Sequence, residues 1–272
     1  TKKSRRNIMQ DLKILALQAD LVWENPQKNR LEFEKRIKSG FDSHHLIILP
    51  ETFTTGFPVD PRKYWEEIDG PTITWMQKIA SEYKAVITGS LLIKTGDSFA
   101  NTLIWMYPDG NFEFYEKRHV FSMGGEHETI SAGTKKLNVK LLGWKIRPMI
   151  CYDLRFPVWS KNHYDENDGF EYDLAIYIAN WPEVRSYPWK TLLLARAIEN
   201  QAYIVGLNRV GTDGPGNEYS GDSMIVDPRG TILEIGTEGK DQALSASISY
   251  DKLKEFRNSF NVGLDWDKFT IE

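Results

Sequence analysis

Apolar runs recur along this chain at short intervals, and the spacing between polar positions switches back and forth between two periods. Leu12 to Ala19 (LKILALQA) is of strand length, and Leu46 to Pro50 (LIILP) has no polar position at all, as in a strand covered on both faces. Between them, Asn25-Pro26 supplies an N-cap followed by proline at the first helical position. Leu31, Glu34 and Ile37 then carry a helix to a stop at Gly40. Thr72 to Tyr83 sets Ile73, Met76, Ile79, Ala80 and Tyr83 near helical spacing, and Val86 to Ile93 returns as a strand. The rhythm next becomes that of a hairpin: Asn101 to Tyr107, a Pro108-Asp109-Gly110 turn, and Asn111 to Glu116.

The second half repeats the first. Lys145 to Ile150 alternates and then runs apolar, and the segment after it is polar and aromatic enough to open a helix. Tyr172 to Ala179 and Tyr203 to Asn208 read as strands on either side of a helix from Pro188 to Asn200. A glycine-rich loop, Gly211 to Gly216, leads into a second hairpin: Ser223 to Val226, the turn Asp227-Pro228-Arg229-Gly230, and Thr231 to Ile235. Ala243 to Ser249 is the last strand and Tyr250 to Phe256 a closing helix. The order βαβαβ then hairpin, taken twice, predicts two packed sheets with helices on their outer faces. We read residues 11–272 as one domain. Residues 1–10, with Lys2, Lys3, Arg5 and Arg6 but no apolar run of signal-peptide length, read as a flexible basic leader.

Composition narrows the setting. One cysteine forms no internal disulfide, which fits a reducing, cytoplasmic compartment. A net charge of −4 gives no reason to expect nucleic acid or an anionic membrane as partner, and no apolar run approaches the ~20 residues of a membrane span. The five histidines (His44, His45, His119, His127, His163) lack the spacing of a metal site, so no metal is expected. Gly211, Gly214 and Gly216 do not open a βαβ unit and read as a turn-rich loop near a pocket mouth, not as a nucleotide loop; no cofactor is expected.

Candidate chemistry gathers where strands end. Cys151 follows Lys145 to Ile150 at a strand-to-helix junction, where helix amides can lower a thiol pKa. Taken alone, a single cysteine is more often a small core residue than a nucleophile. Glu51 follows the buried run ending at Pro50, and Lys117 closes the first hairpin in Glu116-Lys117-Arg118. Alone, the first is an ordinary loop or capping carboxylate and the second part of a solvated strand end. Brought together, a carboxylate, an ammonium and a thiol make an acyl-transfer site. The carboxylate takes the thiol proton, the ammonium favours thiolate and then the oxyanion, and the sulfur attacks a carbonyl carbon. Spacing alone does not prove that they converge.

Three blocks, LPETFTTGF around Glu51, YEKRHVFSMGGEHETISAG around Lys117 and CYDLRFP around Cys151, resemble the signature blocks of the nitrilase, or carbon–nitrogen hydrolase, superfamily. YIANWPEVR, ARAIENQAY and NRVGTDG are most similar to its omega-amidase branch. The resemblance runs from about Leu12 to the C-terminus. It implies a four-layer αββα sandwich and a Glu-Lys-Cys triad: Glu51 as base, Lys117 as oxyanion partner and Cys151 as nucleophile. It further implies Glu126, in preference to Glu128, as the residue that positions Lys117 and the hydrolytic water, and the Tyr152 amide as second oxyanion donor. The implied reaction releases ammonia from the terminal amide of a short ω-amido-2-oxo acid such as 2-oxoglutaramate or 2-oxosuccinamate. For the substrate carboxylate we choose Arg185, whose guanidinium can grip it with two bonds. Arg155 reads as structural, paired with an acid such as Asp153, and Phe57, Tyr152 and Trp181 read as pocket walls. A homodimer is implied by the family alone, with the segment from Asn261 to Glu272, carrying Trp266 and Phe269, packing across its interface.

Rival readings are a nitrile or N-carbamoyl hydrolase of the same superfamily, a papain-like hydrolase using His119, His127 or His163 as base, and a non-catalytic binding module on this fold. The papain-like reading leaves Glu51 and Lys117 without a role.

Overall fold

The computed structural model describes residues 10–58 and 60–271. Residues 1–9, most of the expected basic leader, lie outside the described residues; Gln10 is tied down, its carbonyl accepting from the Trp144 indole at 2.9 Å. In chain order the elements are β1 (Leu12–Gln18), α1 (Pro26–Gly40), β2 (Leu46–Ile48), α2 (Pro71–Tyr83), β3 (Val86–Thr95), β4 (Ser98–Met106) and β5 (Phe112–Glu116). The second half continues with β6 (Val139–Leu141), β7 (Trp144–Ile150), α3 (Pro157–Ser160), β8 (Tyr164–Asp165), β9 (Gly169–Phe170), β10 (Leu174–Ala179), α4 (Ser186–Asn200) and β11 (Tyr203–Asn208). It ends with β12 (Val210–Thr212), β13 (Glu218–Ser220), β14 (Met224–Val226), β15 (Ile232–Ile235), β16 (Gln242–Ile248) and α5 (Tyr250–Ser259).

Two six-stranded mixed sheets result, ordered β16-β1-β2-β3-β4-β5 and β15-β14-β11-β10-β7-β6. In each, three parallel strands (β1, β2, β3 and β7, β10, β11) form the centre, and antiparallel strands extend the edges. The expected βαβαβ-plus-hairpin order is present in the first half; in the second, a 3₁₀ turn and the single-turn α3 stand in place of the first helix, and the short pairs β8–β9 and β12–β13 are inserted. β16 belongs by sequence to the second half but pairs antiparallel with β1, along its whole length from Leu12 opposite Ile248 to Gln18 opposite Gln242, and so completes the first sheet.

The layers follow from which side chains face which way. On β1 and β2, Ile14, Ala16, Leu46 and Ile48 point into the space between the sheets, where they meet Ile146, Ile176 and Ile178. Their neighbours Leu15, Leu17, Ile47 and Leu49 face the other way, against Phe33 and Ile37 of α1 and Met76 and Ile79 of α2. This is why β2 carries no polar position and the middle of β1, Ile14 to Leu17, none either. The second sheet is covered by α4 through Trp189, Leu193 and Ala197. Gly206 in β11 makes that contact possible, since a Cβ there would lie 2.3 Å from a Leu193 methyl. The result is a four-layer αββα sandwich.

Two sequence expectations are corrected. The segment after Cys151 opens not into an α-helix but into a tight 3₁₀ turn, Cys151–Arg155, followed by the single-turn α3. The strand expected from Tyr172 starts at Leu174, because Tyr172 is held by Asn162 and its hydroxyl donates to the Ser160 carbonyl. Within the chain, the C-terminal segment packs Trp266 against Phe170 and Phe269 against His163. Among the described residues no helix is long and apolar enough to cross a membrane.

Candidate active site

The parallel strands of both sheets end at one place, and the polar residues there come from the turns that follow them. Glu51 and Thr52 make the turn after β2; Thr52 has φ +40°, and its N–H donates to the Ser90 hydroxyl at 2.8 Å. Glu51 is completely buried, with every oxygen of its carboxylate engaged. Oε1 accepts from Lys117 Nζ at 2.9 Å and Asn101 Nδ2 at 2.9 Å, and Oε2 from the Asn180 backbone N–H at 2.7 Å. Asn180 directly follows β10 in the other sheet, so this carboxylate also joins the two sheets at the site. The Asn180 side chain adds bonds to the Glu51 carbonyl at 2.9 Å and the Thr52 hydroxyl at 2.8 Å.

Lys117, directly after β5, is 1% exposed. Its ammonium lies between Glu51 and both oxygens of Glu126, at 3.1 and 3.0 Å. Burial works against the charge, but Glu126, Glu51 and Cys151 outweigh it and raise the lysine pKa above its ordinary value. Glu126 is itself fixed by the Phe121 N–H at 2.5 Å. Gly133 packs flat on this strand: its N–H bonds the Lys117 carbonyl at 2.9 Å, and a Cβ would fall 2.2 Å from the Glu116 carbonyl oxygen. Glu126 is thus the second glutamate beside the lysine.

Cys151 opens the turn after β7 with φ +42°, a left-handed conformation that costs a non-glycine residue of order 1–3 kcal/mol and that surrounding contacts have to enforce. It is buried, with Sγ 3.9 Å from the Asn180 carbonyl. Burial and the adjacent Glu51 carboxylate push the thiol pKa well above its ordinary value, and the pull of Lys117 does not compensate. Lys117 does act to lower it, as expected, but the net direction is upward, against the expectation of a thiol pKa below its ordinary value. The resting group is a neutral thiol beside a carboxylate.

Glu51, Lys117 and Cys151 form the floor of a cavity of about 400 Å³. Phe57, Tyr152 and Trp181 line it, as does Arg185, whose guanidinium stands 5.5 Å from the Phe121 ring centre. Arg155 lines it as well, 4.8 Å above the Trp181 ring. The expected pairing of Arg155 with Asp153 is wrong. Asp153 points away into the protein and accepts from Ile150 N–H, Tyr115 and His119, which leaves Arg155 facing the cavity. The loop beyond Gly211 supplies Asp213, Pro215 and Asn217 to the same wall, with the hydroxyl of Tyr219 held by Asp213 at 2.9 Å. Sequence reasoning missed Asn101, a polar residue inside the apolar strand Ser98–Met106, and that incongruity was its one visible signal.

None of the histidines hydrogen-bonds Cys151 among the described residues. His119 Nδ1 is taken by Asp153 at 2.7 Å, and His127 and His163 line other cavities. That removes the geometric basis of a thiol–imidazole pair. Among the described residues no group of three or more His, Cys, Asp or Glu side chains is arranged to hold a metal.

Comparison with known proteins gives consistent matches. The family profile described as carbon-nitrogen hydrolase matches residues 14–258. The chain is 41% identical over 263 residues to the protein named omega-amidase YafV of Escherichia coli (strain K12), covering 97% of this chain and all of that one. It is 32% identical to the 2-oxoglutaramate amidase of Bacillus subtilis (strain 168), covering 92% and 95% of the two chains. The crystal structure of XC1258 from Xanthomonas campestris, described as a CN-hydrolase superfamily protein with an arsenic adduct in its active site, superposes with a TM-score of 0.94 at 40% identity. That match covers 97% of this chain and all of that one.

Proposed function

Since the chain belongs to the carbon–nitrogen hydrolase family and is a hydrolase of carbon–nitrogen bonds, we propose that it is an omega-amidase, releasing ammonia from ω-amido-2-oxo acids such as 2-oxoglutaramate and 2-oxosuccinamate. The names of its relatives supply the substrate class. The observation that carries the mechanism is the buried Lys117 amine held between Glu51 and Glu126 in the same cavity as the buried Cys151 thiol.

Glu51 takes the thiol proton as the sulfur attacks the amide carbon, and the carbonyl π electrons move onto oxygen. Lys117 and the Tyr152 N–H, near the start of the 3₁₀ turn where amides lack intrahelical acceptors, hold that oxyanion. The C–N bond then breaks, Glu51 returns its proton to the departing ammonia, and a thioester remains on Cys151. Water positioned by Glu51 and Glu126 attacks the thioester; Glu51 takes the water proton, the C–S bond breaks and the thiol is restored. Arg185 and Arg155, both lining the cavity, offer two guanidinium groups for the substrate carboxylate, with Phe57 and Trp181 packing its short carbon chain.

Ammonia release from 2-oxoglutaramate tests the reading. Cys151→Ala should abolish turnover, and Glu51→Gln and Lys117→Met should each cost 10²-fold or more, about the loss seen for one oxyanion donor. Equal rates for wild type and Cys151→Ala, or turnover of nitriles or N-carbamoyl compounds in place of the amide, would contradict it. Arg185→Ala should weaken 2-oxo acid amides more than neutral amides; a uniform loss would remove Arg185 from carboxylate binding.

The same reading includes a homodimer in the cytoplasm. The outer side of α4 exposes Tyr187, Thr191 and Ile198 in one stripe, an apolar surface suited to a second copy. A nucleophilic thiol is preserved in a reducing compartment. The acidic net charge supports no nucleic-acid partner.

A further inference from the structure

Asp153 stands two residues past the thiol, and no step of the proposed reaction uses it. Its side chain is fully buried and both carboxylate oxygens are engaged. Oδ2 accepts from the Ile150 backbone N–H at 3.0 Å and the Tyr115 hydroxyl at 2.7 Å; Oδ1 accepts from the His119 backbone N–H at 3.0 Å and from its ring Nδ1 at 2.7 Å. These donors fall at telling positions. Ile150 directly precedes Cys151, whereas Tyr115 and His119 lie two residues before and two residues after Lys117. One carboxylate therefore ties the segment bearing the ammonium, on both of its flanks, to the turn bearing the thiol.

The tie matters because of where the two groups come from. Lys117 follows β5, an edge strand of the first sheet, and Cys151 follows β7 of the second. No hydrogen-bonded ladder joins those strands, so neither sheet sets the spacing between ammonium and sulfur. The thiol also sits at φ +42°, which the surroundings have to impose. The anchors themselves are held. The Tyr115 hydroxyl accepts from the Trp159 indole at 3.1 Å and the Arg118 N–H at 3.2 Å, and the His119 ring stacks on Phe156 with centroids 3.7 Å apart.

We propose that Asp153 is a positioning residue that fixes Cys151 relative to Lys117 and Glu51, with Tyr115 and His119 as its anchors. The inference rests on the thiol and ammonium roles proposed above. Its test compares Asp153→Asn with Asp173→Asn. Asp173 is also a buried carboxylate, paired with Arg257 at 2.6 Å, but it lies at the opposite end of β10 from the site. For folded protein at 25 °C, Asp153→Asn should lower kcat about 10²-fold with KM within about threefold, the scale of a ~1 Å misplacement of a reacting group. Alkylation of Cys151 by iodoacetamide should slow in parallel. Tyr115→Phe should move both rates the same way by a smaller factor, and it serves if Asp153→Asn does not fold. Asp173→Asn should lower thermal stability and leave both rates alone. Slowed alkylation in Asp153→Asn, in a protein whose wild type proves silent on 2-oxoglutaramate, would sustain the positioning role and end the substrate reading. Wild-type kcat and alkylation in Asp153→Asn or Tyr115→Phe, with only stability lost, would overturn the positioning role.

Discussion

At the scale of single residues, the site is built on protons held against their usual tendencies. The Cys151 thiol keeps its proton because burial and Glu51 penalise the thiolate, and the Lys117 ammonium keeps its own because two carboxylates flank it. Attack and proton transfer to Glu51 are therefore coupled, and ammonia release should not climb tenfold per pH unit across the ordinary thiol range near ~8.5. The raised thiol pKa has a consequence for stability. Below ~8.5 both folded and unfolded chains hold the proton and its contribution is complete. As pH rises past that value the unfolded chain loses the proton first, so stability falls until the folded pKa is reached. In urea titrations, the stability of wild type relative to Cys151→Ala should drop by about 1 kcal/mol between pH 8.5 and 9.5; no drop would mean a thiol with an ordinary pKa. At this scale the sequence was informative about Glu51, Lys117 and Cys151, because each stands in a distinctive block at a strand end, and about Glu126 through the family resemblance of the loop that holds it. It misled about Arg155. Two residues apart in a chain, Asp153 and Arg155 look like a pair, but in a 3₁₀ turn they point apart, one into the protein and one into the cavity.

Among the elements, the central strands and the helices covering them were legible because burial on both faces leaves an unbroken apolar run. Leu46 to Leu49 could hardly be anything else. Short pairings such as β8 with β9 and β12 with β13 left no such mark, since two or three residues carry no period. The closing helix α5 shows how an element is locked by one side chain. Arg257 reaches the Asp173 carboxylate at 2.6 Å, the Gln201 carbonyl at 2.9 Å and the Tyr172 carbonyl at 2.9 Å. Arg257→Ala strands a buried carboxylate and two carbonyls and should cost about 3–5 kcal/mol in denaturant unfolding. Because α5 lies away from the strand ends that bear the site, kcat of the folded fraction should be unchanged. A fall in kcat without a fall in stability would show α5 coupled to the site.

For the whole molecule, the two half-repeats predicted two sheets, but nothing local revealed that β16 crosses back to β1. Register between distant strands is set by which edge remains open, and that is known only once both sheets exist. The same limit applied to the convergence of the site, which needs the ends of both sheets to meet. The proposed dimer belongs to this scale. Replacing Ile198 on the exposed side of α4 with Glu should convert the particle to monomer in sedimentation at micromolar concentration, whereas an unchanged mass would move the interface elsewhere. The central step is covalent and occurs at one sulfur. Rapid quenching of the enzyme with 2-oxoglutaramate, followed by mass analysis of the peptide containing Cys151, reads it directly. An acyl adduct should appear on that peptide, formed together with the first equivalent of ammonia and absent from Cys151→Ala. Ammonia released at the wild-type rate by Cys151→Ala, with no adduct on either protein, would contradict it.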